Sequence, residues 1–250
     1  MHIVKLQEVD STNRYLSQHS EEFPVISAVI AESQTAGRGQ RGNSWESEPG
    51  QNATLSIICH PAAWIKPSEQ FVISQVVAVA IVETLRMFMP ELTRDIAVKW
   101  PNDIYVSDRK ICGILIENAV QGGSLVRSII GIGLNVNQRV FLSDAPNPVS
   151  MAQLTRTTYD VEHVARCVCS SVERFFQGYC MPPRHSRLRS RYFSMLWRSS
   201  GYYPYIDVAT GEQFDGRISN IASDGRITLT DRNGSARTYA FKEVQAVLDL

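Results

Sequence analysis

Glu32-Ser33-Gln34-Thr35-Ala36-Gly37-Arg38-Gly39-Gln40-Arg41-Gly42-Asn43-Ser44-Trp45 follows the apolar, strand-like run Val25-Ile26-Ser27-Ala28-Val29-Ile30. Its spacing, Gly37-x-Gly39-x-x-Gly42, is that of a dinucleotide-binding turn, so its reading decides the fold. That fingerprint needs a helix opening at the third glycine and an acidic residue about twenty positions on. Here Asn43-Ser44-Trp45-Glu46-Ser47-Glu48-Pro49-Gly50 continues as loop, and Pro61-Ala62-Ala63-Trp64 carries no carboxylate. A Rossmann fold is set aside. What remains is a flexible loop whose glycines allow close folding around a small ligand. Arg38 and Arg41 are fixed cationic forks suited to carboxylate or phosphate, and Trp45 closes the stretch as an aromatic lid.

Outward from this clamp lie Asp10-Ser11-Thr12-Asn13, Lys99-Trp100-Pro101-Asn102-Asp103, Arg109-Lys110-Ile111-Cys112-Gly113-Ile114-Leu115-Ile116-Glu117 and Gly131-Ile132-Gly133-Leu134-Asn135-Val136-Asn137. In this order and approximate spacing the blocks resemble the biotin protein ligases, strongly over roughly residues 3 to 137 and weakly beyond. The resemblance implies an α+β fold: a mixed β-sheet with flanking helices, like the class II aminoacyl-tRNA synthetase and biotin ligase catalytic domains, followed by a small SH3-like β-barrel. The expected division is residues 1–200 for the catalytic domain and 201–250 for the barrel.

The same resemblance assigns site residues. Ser11, Thr12, Asn13 and Gln34 are uncharged donors and acceptors suited to the neutral ureido ring of biotin. Gly37, Arg38, Gly39 and Gln40 belong to the biotin clamp, and Gly113, Gly131 and Gly133 give the ligand close approach. Lys110 points its ammonium at the biotin carboxylate and the α-phosphate, and shares the catalytic role with Arg38. Arg38, Arg41, Trp45, Asn102, Lys110 and Asn135 serve ATP and the adenylate, with Trp45 stacking on adenine and an asparagine reading its edge. Asp103 is a candidate magnesium or ribose contact.

Two half-reactions follow from the family. Biotin's carboxylate attacks ATP at the α-phosphate, giving biotinyl-5′-AMP and pyrophosphate. A lysine of a biotin carboxyl carrier protein, or of a biotin-dependent carboxylase subunit, then attacks the mixed anhydride. Mg²⁺ accompanies the ATP. AMP is a good leaving group, so no nucleophilic Ser or Cys is needed, and no general base is identified. Lipoate ligase is the nearest enzymatic alternative; a non-catalytic biotin sensor is the alternative from another class, disfavoured by the intact Lys110. Where some members carry Gly-Arg-Gly-Arg-Arg-Gly, this chain has Gln40, so the anion contacts rest on Arg38, Arg41 and Lys110. The bifunctional members' N-terminal helix-turn-helix has no counterpart before the first block, so no DNA partner is expected. A homodimer formed edge to edge is one of the family's states and is carried as the expectation.

Composition agrees with a globular enzyme. Lysine plus arginine and aspartate plus glutamate both number 25 and cancel, so an anion site must be local rather than part of a basic field. The apolar fraction is 44%, enough for a substantial core. Cys59, Cys112, Cys167, Cys169 and Cys180 match no zinc spacing and read as free thiols of a reducing compartment. Met1-His2-Ile3-Val4-Lys5 lacks a signal peptide's apolar region, and the uncharged run Gln70 to Val82 falls short of the roughly twenty residues a membrane span needs. A cytoplasmic chain without a membrane partner is expected.

Along the chain, strands are expected over residues 2–9, 25–32, 53–59, 96–100, 104–106, 111–117 and 124–136. A helix capped by Asp10-Ser11-Thr12-Asn13 is expected to carry Tyr15 and Leu16. Pro67 opens a helix to about Met89 that is apolar nearly all round, hence buried. Residues 138–150 read as loop, 161–179 as an amphipathic helix stopped by Met181-Pro182-Pro183, and 184–198 as a basic helix. Hairpin turns are expected at Ala209-Thr210-Gly211, Ser223-Asp224-Gly225 and Asp231-Arg232-Asn233-Gly234.

Overall fold

A computed structural model describes residues 1–143, 145–179 and 184–248, the side chains of Arg41 and Ala62 excepted. The first sheet contains β1 (His2–Val9), β2 (Ser27–Gln34), β3 (Asn52–Cys59), β4 (Ile96–Lys99), β5 (Asp103–Val106), β6 (Arg109–Gln121) and β7 (Ser124–Asn135). Their order in space is β1-β2-β3-β7-β6-β5-β4. Only β1 and β2 run parallel, joined by α1 (Thr12–Gln18); every other neighbour pair is antiparallel. The sheet is mixed, as expected.

Alternation along the central strands gives the sheet two unlike faces. Ala28, Ile30, Leu55, Ile57, Ile130, Ile132 and Leu134 point into the main core. Two helices cover them: α2 (Phe71–Phe88) and, beyond the short α3 (Met151–Thr155), α4 (Val161–Tyr179). Val29, Ile58 and Ile129 face the other way and pack under Leu16 of α1 with Phe23. Further along that second face the side chains turn small or polar: Ser56, Gly131, Gly133 and Gly113. Apolar residues anchor one end of the face and leave the other open for a site.

Helix α2 is buried on almost every side, from Val72 to Leu85. With its lead-in turn it forms a stretch, Pro67–Phe88, long and apolar enough by composition to cross a membrane. The uncharged run had been judged too short for that; the structure instead buries the helix between the sheet and α4, as the core of one layer. The α4 bounds agree with the amphipathic pattern, and Val164, Val168, Val172, Phe175 and Phe176 lie on its buried side. Met181-Pro182-Pro183, and Cys180 with them, lie outside the described residues.

Three local expectations need correction. Helix α1 has no side-chain cap; Asp10 Oδ1 accepts from the Ser11 N–H at 2.6 Å instead, which leaves Thr12 and Asn13 to bond elsewhere. Helix α3 follows directly on the expected 138–150 loop, where no element is expected, although Ser150 and Gln153 form a reciprocal capping box legible as Ser-x-x-Gln. The basic helix α5 (His185–Ser194) ends four residues early. Its tail leaves the helix to line the edge of β4, where Val98 N donates to Met195 O and Trp197 N to Val98 O, both at 2.8 Å. Covering an open strand edge satisfies backbone groups that a longer helix would have left bare.

A second, antiparallel sheet follows: β8 (Tyr203–Asp207), β9 (Gln213–Ile221), β10 (Ile227–Asp231), β11 (Ala236–Tyr239) and β12 (Val244–Ala246), ordered β11-β10-β9-β8-β12. The three expected turns are present, with Gly211, Gly225 and Gly234 at φ of 73°, 92° and 85°. The turn at Gly225 meets the first sheet's side of the molecule. Trp100 Nε1 donates to Gly225 O at 2.8 Å, and the Phe71 ring lies against the glycine's bare Cα.

Candidate functional site

The clamp forms directly from β2. Thr35 N and Ala36 N extend the parallel ladder to Val9 O and Asp10 O, and the chain then folds back on itself. Trp45 N donates to Gly37 O at 3.0 Å, and Arg38 bridges Ser44. Gly37 has no room for a Cβ against the Trp45 carbonyl, and Gly42 turns with φ of 87°. Both glycines are therefore required by the turn itself.

Between this clamp and the open face of the sheet lies a cavity of about 640 Å³. It is lined by Ser11, Thr12, Asn13, Gln34, Arg38, Gly39, Gln40 and Trp45 from the first third of the chain. Asn102, Asp103, Lys110, Gly113, Gly131, Gly133 and Asn135 meet them from β5, β6 and β7 and the turn before β5. Every expected site residue but Gly37 and Arg41 is on its wall; Gly37 shapes the clamp from behind, and the Arg41 side chain lies outside the description.

One end is neutral and closely bonded. Gln34 Oε1 accepts from Thr12 N at 2.9 Å and from Thr12 Oγ1 at 3.1 Å. Ser56 Oγ lies 2.7 Å from Thr12 Oγ1 and 2.6 Å from Asn13 Oδ1, one donation being open to its single proton. Asn13 Nδ2 donates to Glu117 Oε2 at 2.7 Å. Ser11, Thr12 and Asn13 are each only 3% exposed, so these neutral groups are fixed before any ligand arrives.

The other end is cationic. Lys110, second residue of β6, places Nζ 2.8 Å from Asp103 Oδ1 and 5.8 Å from the centroid of the Trp45 ring. Arg38 Nη2 pairs with Glu117 Oε1 at 2.9 Å. Lys99 also faces the cavity, its ammonium donating to the Tyr105 hydroxyl at 3.1 Å. Phe241 and Lys242 reach the rim from the second sheet's unit. Lys99 and Lys110 thus gather locally in a chain of zero net charge, while the Arg38 guanidinium lies on Asn13's side, held by the Glu117 carboxylate that also binds that amide.

Glycines 113 and 133 sit opposite each other in the β6–β7 register, and the Trp45 indole lies on both. Gly131 makes the same close approach to the Asn13 amide. The space expected for ligand at these glycines is used here by Trp45 and Asn13. Trp45 rests on the sheet face rather than standing free as an adenine platform. Asn102, the second candidate after Asn135 for an adenine edge, donates its Nδ2 to Ile114 O and so ties the pre-β5 turn to β6. Asn135 Nδ2 donates to Val149 O at 3.1 Å while its buried Oδ1 has no partner. Trp45 Nε1 and Gln40 Oε1 are likewise buried and unpartnered. These three buried atoms on the cavity lining leave hydrogen-bonding capacity for a polar occupant.

Asp103 carries its charge towards Lys110, so a magnesium role would compete with that pair. Among the described residues no three His, Cys, Asp or Glu side chains cluster to hold a metal. A magnesium ion carried by ATP takes most of its ligands from phosphates and water, and a sparse acidic wall is compatible with that.

Several participants were not anticipated. Glu117 shares a strand face with Gly113 and Leu115, which alternation from Gly113 onward could have revealed. Ser56 lies two residues from Thr54 on β3, with no local signal to mark it. Glu46 accepts from Leu142 N at 2.8 Å, Ser143 N at 2.7 Å and Gln138 Nε2 at 3.1 Å, strapping residues 138–143 to the clamp. Burial would raise its pKa, but these bonds outweigh it and hold the carboxyl below its ordinary range.

The pocket, neutral at one end and cationic at the other, lies on a mixed sheet beneath a glycine-arginine loop. Residues 6–135 match the biotin/lipoate A/B protein ligase family, and the chain belongs to that family. It is 39% identical over 141 residues to the bifunctional ligase/repressor BirA of Escherichia coli, covering 55% of this chain and 41% of that protein. Over 252 residues it is 29% identical to the corresponding ligase/repressor of Bacillus spizizenii, covering 96% of this chain and 72% of the relative. The chain thus spans less than half of the Escherichia coli relative's length and nearly three quarters of the other's. In fold it is similar to the biotin protein ligase of Aquifex aeolicus solved with biotin and ATP. That likeness has a TM-score of 0.77 at 22% identity and covers 98% of this chain and 99% of that one.

Proposed function

We propose that this chain is a biotin protein ligase that activates biotin with ATP to biotinyl-5′-AMP, releasing pyrophosphate. It then transfers biotin to a lysine of the carrier domain of a biotin-dependent carboxylase. The observation that carries this reading is the polarity of the cavity: Thr12, Asn13 and Gln34, backed by Ser56, at one end and Lys99 and Lys110 at the other, with Arg38 on the clamp. Biotin has the matching polarity, a neutral cyclic urea at one end and a carboxylate at the other.

In this reading Thr12, Asn13 and Gln34 receive the ureido ring, with Ser11 and the backbone of Gly37, Gly39 and Gln40 closing around it. Lys110 and Arg38 hold carboxylate and α-phosphate together. Two anions must meet for the first step, so the work is charge neutralisation and alignment. Arg41 and Asn135 serve the nucleotide, and Mg²⁺ enters with ATP as part of the substrate. Trp45 shifts from the glycines to cover the bound acid, keeping water from the mixed anhydride. Relatives named as biotin ligases support the substrate pair.

The C-terminal unit is read as an SH3-like barrel beginning near residue 201, supported by its five short antiparallel strands around Tyr205, Ile218, Leu229 and Tyr239. An edge-to-edge homodimer is proposed through β1, whose outer edge pairs with no described strand. A cytoplasmic location is proposed from the free thiols Cys59, Cys112, Cys167 and Cys169.

The test is biotin-dependent pyrophosphate release from ATP, repeated with lipoate and followed by labelling of a carrier domain. Release with biotin and not lipoate, then biotin on the carrier lysine, is the expected result. Release with lipoate alone reassigns the acid. Biotin binding without release makes the chain a sensor and ends the ligase reading.

A further inference from the structure

Glu117 ties the neutral end of the cavity to the clamp arginine through one carboxylate. It lies on β6 across from Ile129 of β7, half-exposed, on the face that carries Gly113 and Leu115. Oε1 accepts from Arg38 Nη2 at 2.9 Å and Oε2 from Asn13 Nδ2 at 2.7 Å. Asn13 in turn meets Ser56 through its Oδ1 and is only 3% exposed. The carboxylate therefore fixes which way the Asn13 amide faces: its nitrogen must point at Glu117, and its oxygen at Ser56 and the cavity. The same carboxylate neutralises the clamp arginine in the absence of a ligand anion.

We infer that Glu117 is a positioning residue: it orients Asn13 for the neutral end of the acid substrate and acts as a resting counterion that the substrate's carboxylate displaces from Arg38. This deepens the ligase reading and rests on it. Arg38 gives Glu117 a single N–H and keeps donors for a second anion, but two carboxylates at one guanidinium repel each other, so part of the substrate anion's attraction is spent against Glu117. The 2.9 Å pair is exposed on both sides, at 44% and 37%, which keeps it exchangeable. A wholly buried pair would resist such a swap.

The experiment compares biotin with biotinamide, whose tail is uncharged, by calorimetric titration of the full chain. The readout is the ratio of the two dissociation constants, biotinamide over biotin. Any effect on the Asn13 end is common to both ligands and cancels. In Glu117→Gln the ratio is expected to rise about three- to tenfold, the worth of one hydrogen-bond exchange. In the double variant Glu117→Gln with Arg38→Ala that rise is expected to vanish. An unchanged ratio in Glu117→Gln overturns the counterion role, and so does a rise that survives removal of Arg38. Failure of the unaltered protein to bind either ligand overturns the ligase reading itself and this inference with it.

Discussion

Lys110 Nζ lies 2.8 Å from Asp103 Oδ1, across neighbouring strands, with the indole of Trp45 over it at 5.8 Å. The ammonium is thus held in place by a carboxylate it can leave, at the position where an acid and an α-phosphate would meet. A partly exposed ion pair of this kind contributes about 1 kcal/mol or less to stability, so the fold does not depend on this lysine. Lys110→Ala should lower biotin-dependent pyrophosphate release by about 10²- to 10³-fold, the usual loss when a preorganised charge contact is removed. Its urea midpoint should stay within experimental error of the parent. Undiminished release in this variant would remove Lys110 from the mechanism.

Gly133 sets where Trp45 can rest. A methyl group there would overlap the indole, and Trp45 also touches Gly113 on the facing strand. Gly133→Ala should push the clamp away from the sheet, so trypsin should cut after Arg38 or Arg41 faster than in the parent. Biotinyl-5′-AMP should also escape and hydrolyse faster. Unaltered cleavage and adenylate lifetime would mean that the indole finds another seat at no cost.

The strands and the two long helices were legible because their apolar periods are strong and local. Helix α4 followed its amphipathic pattern over its whole length, and the three hairpin turns announced themselves through glycines that adopt positive φ. The clamp and Lys110 were legible through spacing and through a family resemblance. Glu117, Ser56 and Glu46 were not, because each acts through partners far off in sequence: Glu117 with Arg38 and Asn13, Ser56 with Thr12, Glu46 with residues 142 and 143. The early end of α5 was hidden for the same reason. Arg191 leaves the expected solvated face to pair with Glu83 at 3.1 Å, and Met195 to Trp197 are claimed by the β4 edge. No property of residues 184–198 alone tells the chain that an open strand edge waits beside it.

Gly225 ties the second sheet to the first. It turns with φ of 92°, its carbonyl accepts from Trp100 Nε1, and Phe71 fills the space beside its Cα. An alanine there meets both a disfavoured backbone region and the phenyl ring. Gly225→Ala should cost about 1–3 kcal/mol, read as a lower urea midpoint. Phe71→Ala made alongside it should cost less than the sum of the separate losses, since the two share one contact. Strict additivity would place the damage elsewhere than at this junction.

The buried thiols offer a readout of the sheet itself. Cys59 on β3 is 1% exposed, and burial pushes its pKa up to about 12; Cys169 on α4 is raised to about 12 by the same cause. Cys112, fully buried behind Lys110, is raised further still, burial again being the main cause. Only the thiolate attacks an alkylating agent, so a raised pKa lowers reactivity at any pH below it. At pH 8 the folded protein should therefore be alkylated by iodoacetamide at Cys167 well before Cys59, Cys112 or Cys169. Raising the pH to 9 should still leave those three nearly inert, whereas urea should expose them all together. Modification of Cys112 at the rate of Cys167 in the folded chain would mean that the β6 core opens beneath the lysine, and the rigid cavity wall described here would have to be given up.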